Sequence, residues 1–152
     1  MRVSAKADYA VRAMVELAGS AEEAPMKGEL VASSQGIPVR FLENILAELR
    51  HAGLVHSRRG ADGGYWLARP ADEIALADII RAVDGPLATV RGEPADELEY
   101  ADGLAALQQV WIALRANIRE ILEAVTLADV AGGELPERIL GIASQPGVWQ
   151  TR

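Results

Sequence analysis

Apolar side chains recur at helical spacing along most of the chain, which predicts a mainly helical protein. The clearest short pattern begins after Pro38 and ends at Gly53, and it places five apolar residues on one helix face. Weaker patterns predict two earlier helices, from Ser4 to about Gly19 and from Lys27 to about Ser34. The apolar face of the third helix consists of Phe41, Leu42, Ile45, Leu46 and Leu49.

A β-hairpin and a fourth short helix are predicted next. Residues 54–58 and 65–68 flank the turn-rich sequence GADGG and have the pattern of two strands. Residues 75–84 return to helical spacing and end at Gly85-Pro86. Three helices followed by a hairpin are typical of a winged helix-turn-helix domain.

A long amphipathic helix is predicted in the second half of the chain. Its apolar residues alternate at spacings of three and four, the a/d pattern of a coiled coil, over about 30 Å at about 1.5 Å per residue. One such helix per chain favours pairing with a second copy, so we expect a homodimer. Trp111 in this row is more typical of a core than of a ligand pocket. We call these seven residues the heptad row: Leu104, Leu107, Trp111, Leu114, Ile118, Ile121 and Val125.

The patterns divide the chain into four parts. We expect residues 1–86 to form a winged helix-turn-helix DNA-binding domain, 87–100 a loop, 101–133 the dimerisation region and 134–152 a tail. Within the third part, Thr126 and Asp129 have the spacing of a capping box for one more short helix. The tail gives no firm prediction.

Positive charge is concentrated in one stretch of an acidic protein. The formal net charge is −7, yet residues 1–70 hold nine Lys or Arg against eight Asp or Glu, whereas residues 71–152 hold six against fourteen. The sequence RHAGLVHSRRGADGGY, residues 50–65, covers the predicted hairpin and contains no acid before Asp62. Contacts with nucleic acid are therefore expected from the first half of the chain.

Composition excludes several classes of chemistry. The chain contains no cysteine, so disulfides, thiolate zinc sites, cysteine nucleophiles and cysteine-ligated iron–sulfur clusters are excluded. Its two histidines, His51 and His56, lack a third ligand nearby and are expected on the surface. No constellation of a nucleophile and a base indicates an enzyme. No apolar run is long enough for a membrane span and the N-terminus lacks a signal-peptide core, so we expect a cytoplasmic protein.

Three segments carry a family resemblance. MRVSAKADYAVRAMVELA, QGIPVRFLENILAELRHAGLVHSRRGADGGYWLARP and IALADIIRAVDGP together resemble the IscR/NsrR/CymR (Rrf-two) family of bacterial transcriptional regulators. The resemblance is close over roughly the first 90 residues and looser over the long helix. It implies a mainly α fold with a small β-hairpin, in which a winged helix-turn-helix is joined to a long dimerisation helix.

The chain departs from the family in the loop that corresponds to the cluster-binding region. The best-known members hold an iron–sulfur cluster there through three cysteines, and this chain has PLATVRGEPADELEYADGL instead. The second half is more similar to the cysteine-free branch typified by CymR, so no cofactor is expected. That similarity implies control of cysteine and sulfur metabolism, with cysteine synthase or a small metabolite as a partner besides double-stranded DNA.

The wing holds the strongest candidates for DNA contact. Arg59 and Gly60 match the family position where an arginine enters the minor groove, whose narrow A·T-rich form concentrates negative potential. Arg58 alternates to the other face of the hairpin and is expected to contact phosphate. The alternative for both arginines is a solvated surface charge.

The start of the third helix is expected in the major groove. Val39, Arg40, Phe41 and Glu43 lie where such helices touch base edges, and Arg40 could bind guanine while Glu43 accepts from cytosine. A helix-surface carboxylate is the alternative for Glu43. Phe41 is more typical of a core position than of base stacking.

The first helix supplies the remaining candidates. The resemblance places Ser4, Lys6 and Tyr9 against the phosphate backbone, with Lys6 as the expected phosphate contact. Tyr9 could equally pack against the recognition helix. The acidic run 93–102 is expected to be a solvated loop, with an entrance for a cation or effector as the alternative.

Together these features favour a sequence-specific transcriptional regulator, and a repressor rather than an activator, that binds an imperfect palindrome as a homodimer. The alternative is a protein-interaction module. In that case the long helix and the acidic loop bind a metabolic enzyme, and DNA binding is weak or lost.

Overall fold

A computed structural model describes residues 2–150, which form a mainly helical protein with one antiparallel hairpin, as predicted. Met1, which opens the first family segment, and Thr151 and Arg152, which end the tail, lie outside the described residues. Ala71–Glu73 forms a 3-10 turn. The helices are α1 (Ala5–Leu17), α2 (Gly28–Gln35), α3 (Val39–His51), α4 (Leu76–Asp84), α5 (Ala105–Ala124), α6 (Leu127–Gly132) and α7 (Glu137–Ala143), and the strands are β1 (Val55–Arg58) and β2 (Gly64–Leu67).

Helix α1 lies at the centre of the N-terminal domain and packs against α2, α3, α4 and α6. Ser4 is its N-cap, as predicted, because the hydroxyl oxygen accepts from the backbone N–H of Ala7 at 2.9 Å. Small side chains on α1 let the neighbouring helices approach closely. The buried residues of α1 are Ala7, Ala10, Ala13, Met14 and Leu17.

Helix α3 has the predicted apolar face, with one correction. Leu42, Ile45, Leu46 and Leu49 are buried in the core that α3 shares with α1. Phe41 is 41% exposed, so the expectation that it is a core residue is wrong. It lies in the first turn of α3, and its ring meets the edge of the Tyr9 ring, with centroids 5.7 Å apart.

The hairpin is held by the segment before α2. Val55 pairs with Leu67 and Arg58 pairs with Gly64, and the backbone of Met26 exchanges two hydrogen bonds with Tyr65. Gly63 lies so close to the other strand that a Cβ there would be 2.0 Å from the carbonyl oxygen of Arg58. Glycine is therefore required at the base of the turn.

The end of α5 is tied to the segment before α4 by backbone hydrogen bonds. Leu76 N–H donates to the Val125 carbonyl at 3.0 Å, and Leu127 N–H donates to the Ile74 carbonyl at 2.8 Å. The predicted capping box is present, since Thr126 and Asp129 each accept from the other's backbone N–H. Val125, Leu127 and Ile74 are all buried, and Leu127 and Ile74 belong to the core of the N-terminal domain, so the chain just after α5 packs on that domain.

The heptad row does not form one continuous surface. Leu104 precedes α5 and Val125 follows it, and Val125 is buried within its own chain. Ile118 and Ile121 line a groove that faces α1 and α4. Among the described residues Trp111 is half-buried, and its indole N–H is enclosed without a hydrogen-bond partner. The prediction that Val125 faces a partner chain is therefore wrong, because it is buried within its own chain. For the other six residues of the row, contact with a partner chain stays a prediction.

The loop 87–100 is more closely packed than predicted. Leu87, Ala95 and Leu98 are buried. The Gln108 side chain on α5 donates to the Leu98 carbonyl at 2.9 Å, and Arg115 on α5 pairs with Asp96. The expectation of a solvated loop holds for the exposed acidic side chains but not for these apolar positions.

The tail contains a helix that the sequence pattern does not predict. Helix α7 is joined to α5 by an ion pair between Arg138 and Glu120. Trp149 follows α7 and is 84% exposed, although its indole N–H donates to the Ala143 carbonyl at 2.7 Å. With seven residues, α7 is too short for a clear helical period. None of the helices in residues 2–150 combines the length and the apolar composition needed to cross a membrane.

Replacing Gly63 by alanine is expected to destabilise the protein by about 1–3 kcal/mol, since the added Cβ has to displace backbone. Chemical denaturation measures this loss. Gly19→Ala is the matched control, because a Cβ at Gly19 meets nothing within 4 Å. Equal stability of the two variants would contradict the close approach at Gly63.

A second prediction concerns Glu123 of α5, which pairs with Arg81 of α4 and with Arg119 of its own helix. Hydrogen bonds from Arg81 and Arg119 hold the pKa of the Glu123 carboxyl below its ordinary value of 4.5. A carboxyl with a lowered pKa in the folded state stabilises the protein above its ordinary pKa, and this contribution is lost as the pH falls through the lowered value. Glu123→Gln should therefore flatten the loss of unfolding free energy between pH 7 and pH 3, measured by denaturant titration.

Glu97→Gln is the control for this titration, because Glu97 is exposed and takes part in no ion pair within residues 2–150. If both substitutions flatten the profile equally, the Glu123 bridge has no specific role.

Candidate nucleic-acid interface

The N-terminus of α3 protrudes from the domain with exposed side chains. Pro38, Val39 and Arg40 are exposed, and the first turn contains no acidic residue. The free N–H groups and the dipole of a helix N-terminus attract anions. Glu43 and Asn44 are exposed one turn later, so α3 presents polar and apolar groups together.

Three of the predicted site residues meet at one shallow notch between α1 and α3. The notch has a volume of about 450 Å³ and is open to solvent. Tyr9 is held there from both sides, by the Phe41 ring and by the Arg12 guanidinium 5.4 Å from its ring centroid. Tyr9 thus packs against the recognition helix, which was one of its two expected roles. The notch is lined by Ala5, Tyr9, Pro38, Arg40, Phe41 and Asn44.

Lys6 is engaged inside the protein. Its amino group donates to the Glu48 carboxylate of α3 at 2.9 Å and to the Val83 carbonyl of α4 at 2.8 Å. Its side chain is 30% exposed. A contact with phosphate would have to compete with both interactions, so the geometry favours a role in holding α3 and α4 against α1.

Ser4 has a similar positioning role. Its hydroxyl donates to Asp84 Oδ2 at 2.6 Å while its oxygen caps α1. Ser4 and Lys6 therefore both connect the start of α1 to the end of α4. Their partners lie about 80 residues away in sequence, and no local pattern could have revealed them.

The two arginines of the wing differ in their surroundings. The Arg58 guanidinium donates to the backbone carbonyls of Glu22 and Asp62 at 3.2 and 3.3 Å and lies over the Trp66 ring. Arg59 is exposed and makes no hydrogen bond or ion pair within residues 2–150. The expected phosphate contact of Arg58 would compete with its role in the hairpin, whereas Arg59 is available to a ligand.

Two basic residues that the sequence analysis did not single out support the wing. Lys27 donates to the Gly60 carbonyl at 2.7 Å and so fixes the turn beside Arg59. Arg50, at the end of α3, donates to the Ser57 hydroxyl at 3.2 Å. Their positive charge marks both residues as candidates for an anion contact. Their contacts with the hairpin, however, appear only in the folded chain. His51 and His56 are exposed, as expected.

Comparison with known proteins places this geometry in a family. The model of the family described as "Rrf2: Iron-dependent Transcriptional regulator" matches residues 3–133. The chain belongs to the Rrf2 family. Its relatives are named as transcriptional regulators with a helix-turn-helix, and not as enzymes.

Individual relatives of this Rrf2 protein cover nearly the whole chain. It is 54% identical over 143 residues to an HTH-type transcriptional regulator of Mycobacterium tuberculosis, covering 94% of this chain and 89% of the relative. It is 37% identical over 131 residues to the HTH-type transcriptional regulator CymR of Bacillus subtilis, covering 86% and 90%.

Solved structures agree with these relatives. The structure of CymR, the global cysteine regulator of B. subtilis, has a TM-score of 0.74 at 34% identity and covers 88% of this chain and 98% of CymR. The structure of IscR from T. potens has a TM-score of 0.68 at 34% identity and covers 99% and 94%. The predicted family and the winged-helix fold are thereby confirmed.

The residues of this chain do not fit the iron implied by the family description. The loop 87–100 offers no thiolate, because the sequence contains no cysteine. Across residues 2–150, no three or more His, Cys, Asp or Glu side chains are grouped so that they could hold a metal ion. Buried Ala95 and Leu98 instead fill the loop with apolar contacts.

Proposed function

We propose that this Rrf2 protein is a transcriptional repressor that binds a pseudo-palindromic operator as a homodimer. The observation that carries the proposal is the pairing of an exposed, acid-free N-terminus of α3 with a hairpin whose tip presents the unengaged Arg59. Both features lie in the family's DNA-binding half. A two-fold symmetric dimer recognises a two-fold symmetric site.

The proposed DNA contacts lie in two grooves of the duplex, the major groove and the flanking minor groove. Val39, Arg40, Phe41 and Glu43 reach base edges in the major groove, where apolar side chains can also contact thymine methyl groups. Arg59, with the Gly60 turn, enters the flanking minor groove. Tyr9 supports Phe41 at the edge of the major-groove surface. Ser4, Lys6 and Arg58 act mainly by positioning these elements.

The exposed side of α5 supports the homodimer. Val110 is 56% exposed and Leu114 is 38% exposed, and Leu104 adds a third exposed apolar side chain at the start of the helix. Monomers rarely leave such a row in water, whereas interfaces bury it. We assign the interface to this edge, together with Leu107 and Trp111 of the heptad row.

The regulated genes are proposed from similarity to CymR. CymR is the global cysteine regulator of B. subtilis, and this chain is similar to it in sequence and in fold over most of its length. We propose that this chain regulates genes of cysteine and sulfur metabolism, with cysteine synthase as a candidate partner.

Selection of bound sequences from random duplex DNA tests the function directly. The purified protein should recover a two-fold symmetric motif at about physiological salt. Failure to recover any motif, also with O-acetylserine and cysteine synthase added, would favour the second candidate function, a module that binds a metabolic enzyme. The exposed edge of α5 would then be the binding surface for that enzyme.

Arg59→Gln is expected to weaken binding to the selected operator by about tenfold or more, because it removes an arginine from the minor groove. Fluorescence anisotropy at several salt concentrations measures the loss. Arg91→Gln changes the net charge equally but lies in the loop 87–100, and it should leave the dissociation constant within about threefold. If the two substitutions weaken operator binding equally, Arg59 contributes only through the net charge of the protein and not through a minor-groove contact.

The double substitution Val110→Glu and Leu114→Glu is expected to convert the dimer to monomers, since it places carboxylates in the apolar interface. Sedimentation equilibrium measures the change. Ala116→Glu is the control, because Ala116 is exposed and lies about a third of a turn from Val110 and nearly half a turn from Leu114 around the helix. A double variant that remains dimeric would place the interface elsewhere.

A further inference from the structure

Arg12 of α1 joins the end of α2 to the ring of Tyr9 through one side chain. Its Nη2 donates to the backbone carbonyl of Gln35, the last residue of α2, and its Nε donates to the Gln35 side-chain oxygen at 3.1 Å. Its Nη1 donates to Asp8, one turn earlier on α1, at 3.2 Å. The guanidinium carbon also lies 5.4 Å from the centroid of the Tyr9 ring. A change at Arg12 therefore affects the end of α2 and the Tyr9 ring together.

The contact with Gln35 anchors the turn that leads into α3. The last carbonyls of a helix have no partner within the helix, and a guanidinium both satisfies such a group and interacts favourably with the helix dipole. The Gln35 side-chain amide also donates to Glu16, so the turn is held to α1 at two points. Only Gly36, in the left-handed conformation, and the buried Ile37 lie between Gln35 and Pro38, the N-cap of α3. The position of Gln35 therefore constrains where α3 begins.

The Tyr9 ring connects Arg12 to the first turn of α3. Phe41 meets Tyr9 edge to face, with an interplanar angle of 86°, which is a preferred geometry for two aromatic rings. Because the Arg12 guanidinium lies over the same Tyr9 ring, it restricts where Tyr9 sits and, through Tyr9, where Phe41 sits. Arg12 thus acts on α3 by two routes, the turn before the helix and the aromatic pair at its start.

A phosphate contact is the alternative role for Arg12, and its hydrogen bonds argue against it. All three of its nitrogens donate within the domain, to Asp8 and to Gln35. The side chain is 38% exposed. A phosphate would have to displace these partners, whereas a positioning role uses them as they are.

We infer that Arg12 is a positioning residue for base readout. It fixes the turn before α3 and the Tyr9 ring, and it so holds the Phe41 ring where it contacts the methyl group of a thymine in the major groove. The contact with thymine rests on the proposed function. The positioning of Phe41 by Arg12 in the free protein does not.

Fluorine NMR tests the positioning without DNA. Phe41 is the single phenylalanine of the chain, so incorporation of fluorophenylalanine labels this ring alone. Arg12→Lys keeps the charge but lacks the planar fork that reaches both Gln35 and Tyr9, and it should shift or broaden the fluorine signal of the free protein. Thermal unfolding verifies that each variant is folded at the temperature of the measurement.

Asp8→Asn is the matched control, because it removes the ion pair of Arg12 and leaves the contacts with Gln35 and Tyr9 in place. An exposed ion pair of this kind contributes little to structure, so the fluorine signal should stay where it is in the wild type. The positioning role is overturned if Arg12→Lys leaves the signal unchanged or if Asp8→Asn changes it equally.

Replacement of thymine by deoxyuridine in the selected operator tests the readout, since it removes only the methyl group. At one thymine in each half-site, the replacement should weaken wild-type binding by about fourfold, the effect of burying one methyl group. Arg12→Lys should reduce this discrimination to less than about twofold, because the ring is no longer held against the base. Fluorescence anisotropy with the two duplexes measures both ratios.

The salt dependence of binding distinguishes positioning from a phosphate contact. Loss of a phosphate contact in Arg12→Gln would lower the slope of log affinity against log salt by about one for each chain. A positioning residue leaves this slope unchanged, and we expect an unchanged slope together with a loss of thymine discrimination. A reduced slope with thymine discrimination retained would identify Arg12 as a phosphate contact and overturn the inference.

Phe41→Ala tests whether Arg12 acts through Phe41. In this background, Arg12→Lys should weaken operator binding by less than about twofold, because the ring that Arg12 positions is gone. If the two substitutions instead have independent effects, whose fold-changes multiply, Arg12 acts by another route and the inference is wrong.

The outcomes separate this inference from the proposed function. If the fluorine signal responds to Arg12→Lys and no duplex is bound under any condition, the proposed function fails and the positioning of Phe41 stands. If the operator is bound and no deoxyuridine replacement weakens binding, the proposed function stands and the thymine contact is wrong.

Discussion

The close packing of α1 connects the recognition helix α3 to α4 and to α6, which follows α5. Three buried alanines on α1 let four other helices approach it, so one helix serves as the shared core of the recognition helix, α4 and the segment after α5. A larger side chain at Ala10, which is fully buried, would separate these elements together. The same helix carries Ser4, Lys6 and Tyr9 at its start, so the polar contacts to α4 and α3 depend on its position.

Ion pairing explains how an acidic protein keeps positive charge for DNA. In the second half of the described chain, Arg81, Arg115, Arg119 and Arg138 each pair with an acid of the same half. In the first half, Arg40 and Arg59 are exposed and take part in none of the ion pairs within residues 2–150. Apart from Arg2 and Arg91, the arginines that take part in no ion pair within residues 2–150 lie in α3 and the hairpin, although the net charge of the chain is −7.

Local patterns predicted helices α1 to α6, the hairpin and the family, because amphipathic spacing and turn residues act over a few positions. They also identified the Ser4 cap and the Thr126 capping box, which are local interactions. They could not predict the partners of Lys6, which come from residues 42 and 77 positions away. The core assignment of Phe41 and the interface assignment of Val125 failed because helical spacing identifies an apolar face but not what covers it. The groove beside α5 arises from three separate stretches of the chain and has no signature in the sequence.

The two backbone hydrogen bonds that join the end of α5 to the segment before α4 have a mechanical consequence. They make α5 an arm whose C-terminal end is fixed directly to the N-terminal domain. In the proposed dimer, the distance between the two recognition helices is then set by the length and crossing angle of these arms. Successive major grooves on one face of B-DNA recur about every 34 Å, so a small change in crossing angle is enough to put one helix out of register. In such a dimer the α5 helices would set the separation of the two half-sites, although they lie away from the proposed base contacts.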